Sequence, residues 1–341
     1  MQKSNSHTTK NSINSFLQKN NQSAFSVGDF KKPKIVVILG PNASGKSDLA
    51  VLIAKKFNGE IISADSRQVY KGMDIGTGKV PRDNKKFNKN LTLTNEKLYF
   101  YQGIRHHLID VCSPKKFFTV VEYQKLAQKC IKNILKRKKL PIICGGTGFY
   151  IDAALYDYHF PPVKPDWLLR KKLEKLNTKE LFAQLQKLDP QYAKRIDPHN
   201  KRRLIRAIEI VSILKKPMPP LEKSSHYEVL KIGVYRSPQE LKKRIEKRLL
   251  ERLNQGMIEE VKTLHKKGVS WKRLDNFGLE YRYISLYLRN KISYEEMINQ
   301  LKTKIWQYAR RQMIWFKKDK EIHWISSSSQ ALKLVRRFLK N

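Results

Sequence analysis

An apolar run, Lys34 to Leu39, leads directly into Gly40-Pro41-Asn42-Ala43-Ser44-Gly45-Lys46-Ser47, and an amphipathic stretch follows from Lys46 to Phe57. This short string constrains the fold more than any other part of the chain. G-x-x-x-x-G-K-[ST] between a buried strand and a helix is the spacing of a phosphate-binding loop. Its glycines let backbone N–H groups converge on phosphate oxygens, and the helix N-terminus adds partial positive charge. Lys46 then neutralises a distal phosphate, and Ser47 offers its hydroxyl to Mg²⁺. A nucleoside triphosphate and a simple diphosphate present the same oxygens, so the loop alone leaves its guest open.

Beyond the loop, strand-length runs at Glu60 to Ala64, Leu98 to Tyr101, His106 to Asp110 and Leu140 to Cys144 alternate with helical patterns. One helix opens on a Thr119–Glu122 capping box and runs to about Lys138. Such alternation builds a parallel sheet covered by helices. Near Phe160-Pro161-Pro162 the pattern turns helix-rich and strongly charged as far as Pro217 to Pro220, and Val229 to Tyr235 then restores a strand. In Ser237-Pro238-Gln239-Glu240, Ser caps a helix, Pro takes its first position and Glu is expected to reach back to the cap. Helices follow to about Lys318. The expected class is therefore α/β: a P-loop NTPase-like parallel sheet flanked by helices, with a helical insertion domain and C-terminal helices. The boundaries read as a core of residues 33–158 and 228–325 and an insertion over 159–227. Residues 1–30, rich in Ser, Asn and Gln and without apolar period, read as a disordered tail.

Charge narrows the partners. The chain carries 70 Lys plus Arg against 30 Asp plus Glu, a net +40. A polyanion is the simplest use of that excess, because each phosphate neutralised releases counterions; lysines scattered over solvated faces are the alternative. No apolar stretch nears the ~20 residues that span a bilayer, and no signal-like pattern opens the sequence. Cys112, Cys130 and Cys144 have neither C-x-x-C nor paired-His spacing, which excludes a disulfide framework or a zinc site. A cytoplasmic, non-membrane protein is expected, and the absence of a heptad seam favours a monomer with no obligate protein partner.

Ligands of doubly wound sheets bind beyond the carboxyl ends of the strands. That rule brings Asp65, in Ser63-Ala64-Asp65-Ser66-Arg67-Gln68, toward the loop as a general base, a helix cap or an outer partner of Mg²⁺. Asp110, ending its own run, competes for a Walker B-type role. Gly145-Gly146-Thr147-Gly148 marks a place where backbone approaches a ligand or a neighbouring helix. Arg244, Arg248 and Arg252 share one helix face, as do Arg202 and Arg206; they bind phosphate or pair with Glu240, Glu246 and Glu251 in solvent. Lys304, Tyr308, Arg311 and Trp315 likewise share a face suited to nucleic acid or to core packing.

Taken in order, GPNASGKS, ISADSRQVYKGMDIGTGK, HHLID, PIICGGTGFY, DPHNKRRLIRAIEI and YARRQMIWF resemble the tRNA dimethylallyltransferase (isopentenyltransferase) family, from about Lys34 to Trp324. The resemblance implies transfer of a dimethylallyl group from dimethylallyl diphosphate to N6 of adenosine 37, in tRNAs reading codons that start with U. N6-(dimethylallyl)adenosine and diphosphate are the implied products. It also implies that Gly40, Pro41, Asn42, Ala43, Ser44, Gly45, Lys46 and Ser47 hold the diphosphate, with Mg²⁺ at Ser47 and Arg244 as a clamp. Asp65 is the implied base, assisted by Lys46 and Arg244. Asp65, Ser66, Arg67, Gln68, Thr147, Lys201, Arg202, Arg203, Leu204 and Ile205 fall at positions that imply contact with the anticodon stem-loop. The sequence departs from the family at Lys304-Ile305-Trp306-Gln307, where Thr-Arg-Gln is usual, and at Phe277-Gly278-Leu279-Glu280-Tyr281, where a Gly-Tyr-Lys-Glu pattern is common. With no cysteine after Cys144, the zinc finger of eukaryotic members is not expected. Three other functions share parts of the pattern: a P-loop small-molecule kinase, an adenylate isopentenyltransferase acting on free nucleotide, and a non-catalytic RNA-binding module.

Overall fold

The computed structural model describes residues 32–83, 98–220 and 223–341. The tail expected over 1–30 lies outside the described residues. The chain opens with β1 (Lys34–Leu39), α1 (Lys46–Lys56) and β2 (Gly59–Ser63). A hairpin of β3 (Tyr99–Tyr101) and β4 (Ile104–His107) follows, then α2 (Val120–Lys136), β5 (Leu140–Gly145) and α3 (Gly148–Leu155). In β1, Ile35, Val37 and Leu39 enter one apolar layer while Val36 and Ile38 enter the other. Both faces of the strand are covered, which is why its sequence is an unbroken apolar run. The Thr119–Glu122 capping box forms as its spacing predicts.

Between α3 and the next strand, α4 (Trp167–Leu173), α5 (Thr178–Leu188), α6 (Pro190–Ala193) and α7 (Lys201–Leu214) pack around an apolar cluster of their own that includes Leu173, Leu181, Leu185, Leu204 and Ile208. The sheet resumes with β6 (Glu228–Val234). Then come α8 (Pro238–Asn254), α9 (Met257–Lys266), α10 (Trp271–Phe277), α11 (Leu279–Leu288), α12 (Tyr294–Phe316), β7 (Ile322–Ile325) and α13 (Ser328–Lys340). The strand order is β3-β4-β2-β5-β1-β6-β7. All neighbours run parallel except β3 and β4. The carboxyl ends of β1, β2 and β5 therefore meet at one edge, and the phosphate loop and Asp65 leave the sheet there.

Three details differ from the sequence reading. First, the runs near Leu98 and His106 form an antiparallel edge hairpin, turned by Gln102 and Gly103 in the left-handed region (φ 50° and 77°). Second, the core continues past the C-terminal helices, because β7 extends the sheet beside β6 and α13 buries Ala331 and Val335 against the second layer. The edge strand Ile322-His323-Trp324-Ile325 is short, and the sequence pattern alone did not mark it. Third, Ser237 does cap α8, but Glu240 does not reach back to it. Its carboxylate lies 3.3 Å from Arg236 and 3.7 Å from Arg244, so guanidinium charge outcompetes a neutral N–H.

Candidate active site

The loop after β1 is held in a shape few residues adopt. Gly45 (φ 91°) begins α1, and Ala43 takes φ 62°, a left-handed conformation that costs a non-glycine residue of order 1–3 kcal/mol. Two contacts stabilise that turn. The Arg244 Nε donates to the Ala43 carbonyl at 2.8 Å, and the Asn42 N–H donates to Gln312 Oε1 at 2.9 Å. Gln312, buried on α12, also donates to the Gly146 carbonyl at 2.8 Å, tying the phosphate loop to the glycine turn after β5. Lys46 Nζ donates to Pro41 O at 3.2 Å. Burial lowers the Lys46 pKa, and Arg248 and Arg252 push in the same direction against Cys144 and Asp65. Cys144, beneath the loop, has its thiol pushed up to about 11 by burial and is therefore an inert packing group.

A cavity of about 470 Å³ opens beside the loop, within the range of small-ligand sites. Asn42, Ala43, Lys46 and Ser47 line it from the loop; Asp65, Ser66, Arg67 and Gln68 line it from the segment after β2. Asp65 Oδ1 accepts the Arg67 N–H at 2.8 Å, so one oxygen caps the local turn. The other oxygen has no hydrogen-bond partner among the described residues. The cap and base readings of Asp65 are thus compatible. Thr147 stands behind the wall, its Oγ1 accepting the Ser66 N–H at 3.3 Å. Gln68 is fixed by Ser63 Oγ at 2.9 Å and donates to the Gly78 carbonyl at 3.4 Å.

The segment around Gly78 is itself clamped. Glu260 accepts the N–H groups of Asp74, Ile75 and Gly76 at 2.7, 2.6 and 3.0 Å, and Tyr281 donates its hydroxyl to the same carboxylate. Gly78 (φ 61°) faces Arg248 and Arg252 closely enough that a Cβ there would lie 1.7 Å from the Arg252 guanidinium. Arg248 donates to the Gly78 carbonyl at 3.2 Å, and Arg252 lies 3.3 Å from the buried carboxylate of Glu280. Burial, then Arg252, lowers the Arg248 pKa to about 10. Burial raises the Glu280 pKa against the opposing pull of Arg252. Two guanidiniums and one ammonium are thus held in a partly dry site, a standing attraction for an anion.

Placement corrects several expectations. Arg244 touches the loop itself, holding the Ala43 carbonyl and lying 3.5 Å from where a Cβ on Gly45 would stand, and Arg248 and Arg252, next on the same helix face, line the cavity. Of the α7 residues, Arg202 reaches the cavity and Arg203 is exposed, while Lys201 Nζ donates to Glu174 O. Leu204 (0% exposed) and Ile205 pack inside the helical insertion, so their side chains offer no surface to RNA. Asp110 is no Walker B residue: β4 ends at His107, and the Asp110 carboxylate is ion-paired to Lys79 outside the cavity wall. Both segments that depart from the family pattern reach the cavity, through Phe277 to Tyr281 and through Ile305. Gln312 and Glu260 escaped the sequence reading, and Glu280 entered it only as part of a segment that departs from the family pattern. Only the i, i+4 spacing of Arg248 and Arg252 gave a signal for the cationic pair.

For Mg²⁺, the described residues contain no cluster of three or more His, Cys, Asp or Glu able to hold an ion. They do place the Ser47 hydroxyl and the Asp65 carboxylate on one cavity. That donor set fits an ion that keeps its waters and arrives on phosphate oxygens, the usual habit of Mg²⁺.

The family described as IPP transferase matches residues 68–319. A protein called tRNA dimethylallyltransferase in Anoxybacillus flavithermus is 38% identical over 304 residues, 88% of this chain and 92% of that one. Its namesake in a Thermoanaerobacter species is 42% identical over 302 residues, covering 85% and 91%. The crystal structure of tRNA delta(2)-isopentenylpyrophosphate transferase from Staphylococcus epidermidis superposes with a TM-score of 0.61 at 35% identity, covering 91% of this chain and 99% of that one.

Proposed function

This chain belongs to the IPP transferase family, and from that premise we infer that it is an enzyme transferring a dimethylallyl group to tRNA. The donor is dimethylallyl diphosphate and the acceptor N6 of adenosine 37 in tRNAs reading codons that start with U. The observation that carries this reading is a single cavity lined by the phosphate loop, by Asp65, and by Arg202 from the helical insertion.

The chemistry follows from the groups present. An adenine N6 amine is a weak nucleophile because its lone pair is delocalised into the ring. Asp65 accepts one N6 proton as the N–C1 bond forms, help of a kind worth about 10²- to 10⁴-fold. The allylic C1–O bond breaks, and both its electrons leave with diphosphate. Negative charge gathering on that group is met by the loop N–H groups, Lys46, Arg248 and Arg252, which are already oriented before the reaction. Mg²⁺ at Ser47 would supply further neutralisation of the diphosphate. Arg244, which holds the Ala43 turn and reaches over Gly45, clamps the diphosphate from the same helix. The acceptor base leaves its stack to enter, at a few kcal/mol that phosphate contacts elsewhere offset. Its entry also excludes water, which would otherwise capture the allylic cation.

The helical insertion, with Arg202 on the cavity and Arg203 exposed beside it, grips the stem-loop in this scheme. The test is incubation of the protein, Mg²⁺ and dimethylallyl diphosphate with an anticodon stem-loop bearing three adenosines at positions 36–38. Mass spectrometry should find one added C5H8 unit on the central adenosine. Modification of AMP in preference to the stem-loop, or consumption of ATP without a prenyl donor, would overturn the reading.

A further inference from the structure

Large apolar side chains standing singly in solvent are ordinary; adjoining ones bracketed by arginines are not. Phe117, in the loop before α2, is 59% exposed, and Trp167, at the start of α4, is 57% exposed. Their ring centroids lie 5.4 Å apart, joining the core to the helical insertion. The Arg273 guanidinium sits 4.2 Å from the Phe117 centroid, and Arg170 sits 5.2 Å from that of Trp167.

Both rings stand on rigid mounts. Arg273 donates to the carbonyls of Pro114 and Lys116 at 3.0 and 2.6 Å, which fixes the loop carrying Phe117. Arg170 makes a two-pronged contact with fully buried Glu209, both arms at 2.7 Å. Asp166, just before Trp167, caps α4 and donates its own N–H to Glu209. Rings held in this way lose little entropy when they bind.

The patch also continues into the active site. Arg273 lies 4.6 Å from the Phe277 centroid, and Arg67 lies 5.7 Å from it on the way to Asp65. Phe277 and Arg67 both line the cavity. Ring and guanidinium thus alternate from open solvent to the mouth of the pocket. We propose that Phe117 and Trp167 form a stacking platform for an unpaired base of the RNA substrate, beside the adenine that enters the cavity. Alternating π-faces and fixed cations are the two elements by which single-stranded nucleic acid is held irrespective of sequence, and the +40 chain favours a polyanion over an apolar protein partner at this site. The proposal rests on the tRNA reading above and adds to it a contact made by this chain's own rings.

The test is steady-state prenyl transfer to the stem-loop by the full chain, with 2-aminopurine placed in the loop next to the target adenosine. The Phe117→Ala/Trp167→Ala double variant should raise the KM for RNA about tenfold or more and lose the fluorescence quenching that stacking should give the wild type. The KM for dimethylallyl diphosphate should change less than about twofold. Trp167→Phe should keep near-normal RNA binding while Trp167→Leu should not, a comparison that holds bulk nearly constant and remains readable if the double variant folds poorly. An unchanged KM for RNA in the double variant, or Leu substituting as well as Phe, overturns the platform. If the wild-type protein modifies no stem-loop, the tRNA reading fails first and the platform goes with it.

Discussion

Replacing Asp65 with Asn separates its cap on the local turn from its proposed task as base. Oδ1 accepts the Arg67 N–H at 2.8 Å, and Asn retains that oxygen, so the turn is kept. Stability should therefore change by less than about 1 kcal/mol, the worth of one hydrogen bond. What Asn removes is the proposed acceptor for the N6 proton, and its amide N–H groups would face the amine donor to donor. The expected loss in kcat is about 10²- to 10⁴-fold, or roughly 3–5 kcal/mol in the barrier. Because Asp65 acts electrostatically on Lys46, losing its charge leaves the phosphate side more cationic. The KM for the diphosphate donor should accordingly hold or fall. The assay is single-turnover transfer at saturating stem-loop and donor, with a urea melt of each protein alongside. A kcat within about threefold of wild type refutes the base assignment. A large rise in donor KM with kcat preserved would instead place Asp65 on the phosphate side.

Lys46→Met should lower kcat/KM for the donor about 10²- to 10³-fold by removing a fixed charge from the leaving group, with stem-loop affinity measured by titration within about twofold of wild type; equal kinetics would detach the loop from the diphosphate. At Gly145 a Cβ would lie 2.2 Å from the Ala64 carbonyl oxygen, a backbone atom that cannot step aside. Gly145→Ala should thus cost about 1–3 kcal/mol and slow turnover by shifting the strand end that carries Asp65; a wild-type urea midpoint would show the contact to be soft. Burial lowers the pKa of both His106 and His107 from 6.5. The unfolded chain takes up protons near that value that the folded chain refuses, so stability is held above pH 6.5 and declines as pH falls below it. Glu60 is pushed up by burial but held well below its usual range by Arg137, His107 and Lys139, which adds a further decline below about pH 4.5. His107→Gln should flatten the first part of that slope between pH 6.5 and 5 in urea melts, and an unaltered slope would contradict the assignment.

The legible parts of the molecule were those where sequence neighbours share one physical task. Gly40 to Ser47 is local, so its string reports its shape. Thr119 with Glu122, and Ser237 with Pro238, likewise lie within a single turn of helix. Asp65 was legible at one remove, because parallel topology sends the ends of β1 and β2 to the same edge. Long-range partners were not legible. Glu260 clamps the Asp74–Gly76 turn from α9, and Gln312 ties Asn42 to Gly146 from α12. Nothing near either residue in sequence announces the distant backbone it serves. The arginine face of α8 shows a finer limit. Spacing placed Arg244, Arg248 and Arg252 on one stripe, yet only packing decides that the first holds the Ala43 carbonyl while the next two line the cavity. Leu204 and Ile205 adjoin two arginines in sequence but turn toward the interior of the insertion, as their apolar character requires.

The proposed reaction requires both substrates to meet in the cavity beside Asp65. A crystal structure of the enzyme with an anticodon stem-loop and an unreactive diphosphate analogue measures this directly. It should place the adenine N6 within about 3.2 Å of the Asp65 carboxylate and the diphosphate oxygens on the Gly40 to Ser47 loop. An adenine held outside the cavity, or a diphosphate seated away from Lys46, would contradict the account.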